Sequence, residues 1–561
     1  MRRGFSVKRR VIIMNEVEFN LIDEPWIRVI DNNCNISEVS LREVIVNAHE
    51  YKSLSGELPT QDIAVMRLIL AVLHTVISRY DETGAKNSLE DDEDDALERW
   101  KAWWDNGRFP ESAVSDYLEK WHERFWLFHP ERPFYQVAGL QFGTDYDSPK
   151  LNGEISESSN KIRLFSCYSG DFKKTMSYSQ AVRWLLYLNA YDDTSSKPTK
   201  EGKEKAGGSL PSPGVGWLGK LGLIFLIGRN LFETLMLNII MINKDEVQCS
   251  QKPLWERNSV ADSERVEIAM PDNLSELYTL QSRRVLLNRN GNEVVSYKLL
   301  GGDFFEKENA FYEPMTVWRT PKTENEAATP KRHDSSKQMW REFSVIYNEE
   351  DSKDKNKRSG IINWYVEYLY GRGYISSEFM LTTKITAVEY GDKDFFVKNV
   401  FSDSLTMHSA LLSELGRNWR SSIETEIKKC ERLAYETGRF AQELFIASGG
   451  SNSSKDKHYN EIPNEAKEQL YYRLDIPFRE WLRKIDPESD VQTKQDIITE
   501  WQNSAKHIAF TYADELVRNQ PDTAFIGHLI KDEKKNKAIL YSAPKAMNSY
   551  RYSVKKIYEG E

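Results

Sequence analysis

Residues 402–561 constrain the fold most. Helical periodicity runs through 404–447, 465–485, 491–519 and 538–557, broken at Gly449–Gly450, Asp486–Pro487 and Gln520–Pro521. Each segment carries an apolar stripe that only a neighbouring helix can cover, and the connections are short. An up-down four-helix bundle over 402–561 follows.

Upstream the chain is mixed. FNLIDEPWIRVI and ISEVSLREVIVNA, within 19–48, alternate as strands around a turn at Asp31–Asn35. Gln61–Ser78 places Ile63, Met66, Leu70, Leu73 and Ile77 at helical spacing, which predicts a buried helix. The acidic run at 89–98 reads as a solvated loop entering a helix. Ser179–Leu188 predicts an amphipathic helix, and Leu221–Asn243 a strand, a turn at Gly228–Asn230 and a helix. Residues 275–400 hold β-type runs: ELYTLQ, a hairpin turning at Asn290–Gly291, and a second hairpin over 379–401. The polar, glycine-rich stretches between 150 and 220 are too long for ordinary connections, and loops of that kind commonly carry function.

The predicted fold class is therefore α+β: a large mixed N-terminal domain over 14–401, then the bundle over 402–561. Met14 offers an alternative start, leaving 1–13 as an N-terminal extension. Across 561 residues, 29% charged and 40% hydrophobic residues make a globular composition, and 15 Trp and 24 Phe supply bulky core material. The most apolar stretch, Ile63–Ser78, is interrupted by Arg67 and His74, so no membrane span is expected. The basic N-terminus lacks the apolar core and cleavage site of a signal peptide. Four scattered cysteines without a CxxC argue against a disulfide framework or a cysteine zinc site, and place the chain in the cytoplasm. A net charge of −10 excludes nucleic-acid binding by bulk electrostatics while leaving room for a local basic face.

Catalytic signals are weak. Gly214-Val-Gly216-Trp-Leu-Gly219 has the dinucleotide-loop spacing, but its strand follows instead of preceding it, so a tight glycine turn entering a strand is expected. His122 and His129 lack zincin spacing, His333–Asp334 lacks further ligands, and Ser158–Lys161 lacks a partner motif. No catalytic residue, cofactor or metal is predicted. Residues 161–178 interleave Lys161, Arg163, Lys173 and Lys174 with Phe165, Tyr168, Phe172 and Tyr178, a pattern suited to phosphates and base faces or to an ordinary solvated loop. Lys197, Lys200, Lys203 and Lys205 lead into Gly207–Gly208, where the backbone can approach a groove closely.

FNLIDEPWIRVI at 19–30, FWLFHPERPFYQ at 125–136 and GVGWLGKLGLIFLIGRNLFETLMLN at 214–238 together resemble the CasA family, the large subunit of the type I-E Cascade complex of CRISPR–Cas immunity. The resemblance covers residues 15–561, in matching order of parts. It implies a non-enzymatic subunit that recognises the protospacer-adjacent motif in double-stranded target DNA, promotes strand separation and positions the displaced strand. The implied partners are the other Cascade subunits with crRNA, the target duplex and the helicase–nuclease effector. By position in the family, Ser166–Ser177, with Tyr168, Asp171, Phe172, Lys173 and Lys174, resembles the loop that contacts the guide and neighbouring subunits. Gly207 and Gly208 resemble the glycines that approach the motif, with Gly214 and Gly216 as alternatives, and Lys307 resembles the lysine finger. Where some members carry a glutamine wedge, GYISSEFM offers Ser376, Ser377 and Glu378 as the corresponding DNA-contacting residues and no glutamine, so either another residue of the 374–400 hairpin wedges or the mechanism differs in detail. A cysteine cluster found in some relatives is absent, so the resemblance implies no structural zinc here. A purely structural scaffold and a metal-dependent hydrolase using His122, His129 or His333 are the competing readings.

Overall fold

The computed structural model describes residues 17–141, 143–152, 174–194, 214–257, 267–268, 271–305, 312–319, 327–347, 356–391, 394, 396–532 and 537–559. Two compact units result, each assembled from separate stretches of chain. The first takes residues up to Ser335 with Asn348–Tyr368 and Thr383–Asp403; the second takes Ser336–Tyr347, Leu369–Thr382 and Ser404–Glu561.

The first unit is organised around helix Pro59–Ile77, in which every residue from Thr60 onward except Asp62 is buried. Proline at the helix start costs nothing there, because that N–H has no intrahelical acceptor. With a mean hydropathy of 1.5 the helix is long and apolar enough to cross a bilayer, so Arg67 and His74 do not by themselves disqualify it. Its 94% burial inside the protein identifies it as a core helix. Helix Glu93–Asn106 begins inside the acidic run, with Asp92 capping it by accepting from the Asp95 N–H, and Gly107 ends it at φ 69°. Helix Tyr178–Tyr191 opens with a reciprocal capping box between Ser177 and Gln180.

Strands in this unit form small sheets, most of them antiparallel, with Glu267–Ile268 and Phe304–Phe305 a parallel pair. Ile27–Asp31 pairs with Ile36–Val39 and with Tyr51–Leu54. The LREVIV run read as strand is helix Leu41–Val46, because Ser40 caps it and Leu41, Val44 and Ile45 fall at helical spacing on the buried side. The ELYTLQ run is likewise helical at Leu274–Tyr278, capped by Asn273. The Asn290–Gly291 hairpin forms as expected, pairing Arg283–Asn290 with Glu293–Gly301 and placing Gly291 at φ 60°. Strand Leu223–Ile227 and helix Leu231–Asn238 also match, although the helix stops before Ile239. The second long hairpin comprises Met380–Tyr390 and Val397–His408, and Leu223–Ile227 joins its sheet.

The second unit holds the four long helices Arg417–Ala447, Lys457–Arg483, Val491–Arg518 and Ala543–Glu559. Three boundaries differ from the periodicity. Residues 404–408 continue a strand, so the first helix opens only at Arg417. The second helix opens at Lys457, where the Asp456 carboxylate accepts from the His458 and Tyr459 N–H groups, and it runs through Pro463 and Pro477. Lys537–Tyr541 is a strand paired with His528–Asp532, ahead of the fourth helix. The bundle core stacks Trp481 on Trp501, with Phe478 edge-on to both. Trp340 stacks on Phe478 at 4.3 Å and donates to Asp475, which explains why its short segment belongs to this unit.

Candidate nucleic-acid interface

Most of the residues expected to meet nucleic acid sit in three segments whose ends are described while their interiors are not. Tyr168, Asp171, Phe172 and Lys173, then Gly207 and Gly208, then Lys307 lie outside the described residues. The roots of these segments converge on hairpin Arg283–Gly301.

The first segment leaves from strand Thr144–Asp147 and helix Ser148–Leu151 and returns at Lys174, which is exposed, into strand Met176–Ser177. Both flanking strands pair with Glu293–Gly301: Thr144–Asp147 opposite Ser296–Leu299, and Met176–Ser177 opposite Glu293–Val294. The Ser148 hydroxyl adds a hydrogen bond to the Val294 carbonyl at 2.7 Å.

The second segment leaves at the end of helix Tyr178–Tyr191 and returns at Gly214. The Arg283 guanidinium is wholly buried and bridges the two ends. It donates to the Asp192 carboxylate, to the Asp193 carbonyl at 3.1 Å and to the Gly214 carbonyl at 2.8 Å. The Gly216 N–H donates to the Asp192 carbonyl at 2.8 Å. A Cβ on Gly216 would lie 2.5 Å from the Ala190 carbonyl carbon, so this glycine exists for a close backbone approach. Gly214 and Gly216 are both buried. The glycine spacing is thus a turn entering strand Leu223–Ile227.

The tip of the long hairpin meets the same root. The Thr194 N–H donates to the Asp394 carbonyl at 2.9 Å, Lys220 pairs with the Asp394 carboxylate at 2.7 Å, and the Tyr390 hydroxyl donates to the Tyr191 carbonyl at 2.8 Å.

The third segment continues directly from Gly301. The N–H groups of Gly302 and Asp303 donate to the carbonyls of Ser282 and Gln281, both at 2.9 Å, and strand Phe304–Phe305 pairs in parallel with Glu267–Ile268. Its return is fixed at Glu313, buried against Arg67.

Ser376, Ser377 and Glu378 belong to the second unit. They form an exposed turn in which the Glu378 N–H donates to the Ser376 hydroxyl and the Phe379 N–H to the Ser376 carbonyl. This turn precedes strand Met380–Tyr390 and belongs to the second unit, whereas the hairpin tip and the three roots belong to the first.

The three candidate histidines have structural partners. His122 pairs with Asp23 at 2.8 Å, His129 accepts from the N–H groups of Glu131 and Arg132, and His333 bonds the Leu223 carbonyl at 3.0 Å. Ser158 and Lys161 lie outside the described residues. Arg283, Asp192, Asp193, Asp394 and Glu313 were not singled out by sequence, since no local pattern marks them as buried and paired.

An α+β unit in which one hairpin anchors the ends of several segments is followed in the chain by a helical bundle. The sequence matches the family of CRISPR-associated protein Cse1 over residues 20–512, and the chain belongs to that family. A curated relative, CasA/Cse1 of Thermus thermophilus, is 30% identical over 344 residues, covering 60% of this chain and 61% of the relative, so the matched region spans about three-fifths of each. Among solved structures, Cse1 of Thermobifida fusca is 26% identical with a TM-score of 0.77, covering 96% of this chain and 98% of that one. Cse1 of Acidimicrobium ferrooxidans has the same fold at 24% identity, with a TM-score of 0.76 and coverage of 97% and 98%. A chain of a CRISPR RNA-guided surveillance complex shares the fold at 16% identity, with a TM-score of 0.65 and coverage of 96% and 99%.

Proposed function

We propose that this chain is the non-catalytic large subunit of a crRNA-guided DNA surveillance complex in the cytoplasm. It reads the protospacer-adjacent motif in the target duplex through Gly207, Gly208 and Lys307, and contacts the guide and neighbouring subunits through Tyr168, Asp171, Phe172, Lys173 and Lys174. It promotes strand separation, positions the displaced strand and helps recruit the helicase–nuclease. The observation that carries this reading is the common rooting of the ends of three segments on hairpin Arg283–Gly301. Loops that must address guide and duplex together need a shared rigid base, because contacts held loosely do not discriminate. Sequence is read by the guide through base pairing, so the protein needs to recognise only a short entry point. Minor-groove readout is degenerate and suits backbone and lysine contacts better than a fixed side-chain code. A net charge of −10 fits a chain whose nucleic-acid affinity comes mainly from an assembly.

Lys307→Ala tests this directly in the assembled complex. Target binding should weaken by roughly tenfold, the cost of one charge-assisted phosphate or base contact, with assembly unchanged. Wild-type binding would remove Lys307 from the interface. Deleting 197–208 should abolish motif discrimination, and intact discrimination would favour a scaffold.

A further inference from the structure

Asp192 and Asp193 are consecutive and nearly buried, 7% and 5% exposed, and each is held by a cation from a different element. Arg283, at the start of the hairpin, binds the Asp192 carboxylate, and Lys150, three residues before the 153–173 segment, binds the Asp193 carboxylate. Two adjacent carboxylates so deep in the protein are costly unless both are paired. A simple helix end needs neither. Arg283 spends its remaining donors on the carbonyls of Ser282, Asp193 and Gly214. The last two lie on opposite sides of the 195–213 segment, so one rigid planar group sets the separation and direction of both its ends. A lysine there would carry the charge without the fork.

We infer that Arg283 is a positioning residue for duplex-motif recognition, acting through Asp192, Asp193 and Gly214 on the ends of the 195–213 segment. This rests on the reading that the segment bears the motif-contacting glycines. Arg283 is buried and touches no nucleic acid, so its effect falls on discrimination between flanking motifs and not on the general attraction of the complex for DNA.

The test uses complete complexes carrying the wild-type chain, Arg283→Lys or Asp192→Asn, bound to a guide-matched duplex library whose flanking positions are randomised. The ratio of affinities for the best and the median flank should fall about tenfold in both variants, as expected for losing one or two oriented hydrogen bonds. Affinity for the median flank should stay within about twofold of wild type, as expected when no DNA-contacting group is removed. A merely structural role would change thermal stability or incorporation and leave that ratio untouched. An unchanged ratio in incorporated variants, or failure of both variants to incorporate, overturns the inference. If the wild-type chain itself confers no discrimination, it is the underlying reading that fails.

Discussion

Arg67 and Glu313, 246 residues apart in sequence, form a forked ion pair with both charges buried, at 3.0 and 2.8 Å. Burial alone would depress the Arg67 guanidinium; the charge and hydrogen bonds of Glu313 outweigh it, leaving the guanidinium raised above its ordinary value. The same carboxylate also accepts the Met315 N–H at 3.0 Å, so it fixes the backbone just beyond the segment that carries Lys307.

Glu313→Gln should therefore destabilise the chain by about 3–5 kcal/mol, because the arginine would remain buried without its counter-charge. Urea unfolding of the isolated chain measures this. A loss below about 1 kcal/mol would match an exposed pair and contradict the burial described here.

His74 gives a pH dependence of defined sign. Burial pushes its imidazole down to about 3, and its Nε2 has no hydrogen-bond partner among the described residues. Above the unfolded value of 6.5 the ring is neutral in both states and adds no pH dependence. As pH falls from 6.5 toward 3, only the unfolded chain takes up the proton, so stability is lost through that window. Relative to His74→Leu, the wild type should lose up to about 1.4 kcal/mol per pH unit below that point. Parallel stability–pH curves for the two proteins would refute the buried neutral ring.

Gly216 separates packing from binding. A methyl group there would meet the Ala190 backbone at 2.5 Å, and backbone cannot swing aside as a side chain can. Gly216→Ala should cost about 1–3 kcal/mol of stability. A fully stable Gly216→Ala chain would show that the approach of the two segments is looser than described.

What was legible in the sequence followed from period and punctuation. The buried helix over Gln61–Ser78, the Asn290–Gly291 hairpin and the bundle all announce themselves, since apolar spacing and turn chemistry are local properties. The errors arose where a local pattern has two solutions. LREVIV satisfies both strand alternation and a capped helix, and the Ser40 hydroxyl decides for the helix. Pro463 hid the opening turns of the second bundle helix, which holds both it and Pro477 within Lys457–Arg483 despite their cost. The roots of the interface were hidden for a different reason. Arg283 lies 91 residues from Asp192, and only the folded chain shows that the two meet.

The most direct measurement is a binding titration of the assembled complex at fixed salt, with and without this chain, on guide-matched duplexes that differ only in the flanking motif. Motif discrimination that appears only when the chain is present is the predicted result. Equal discrimination in its absence would contradict the recognition role and leave the chain a scaffold.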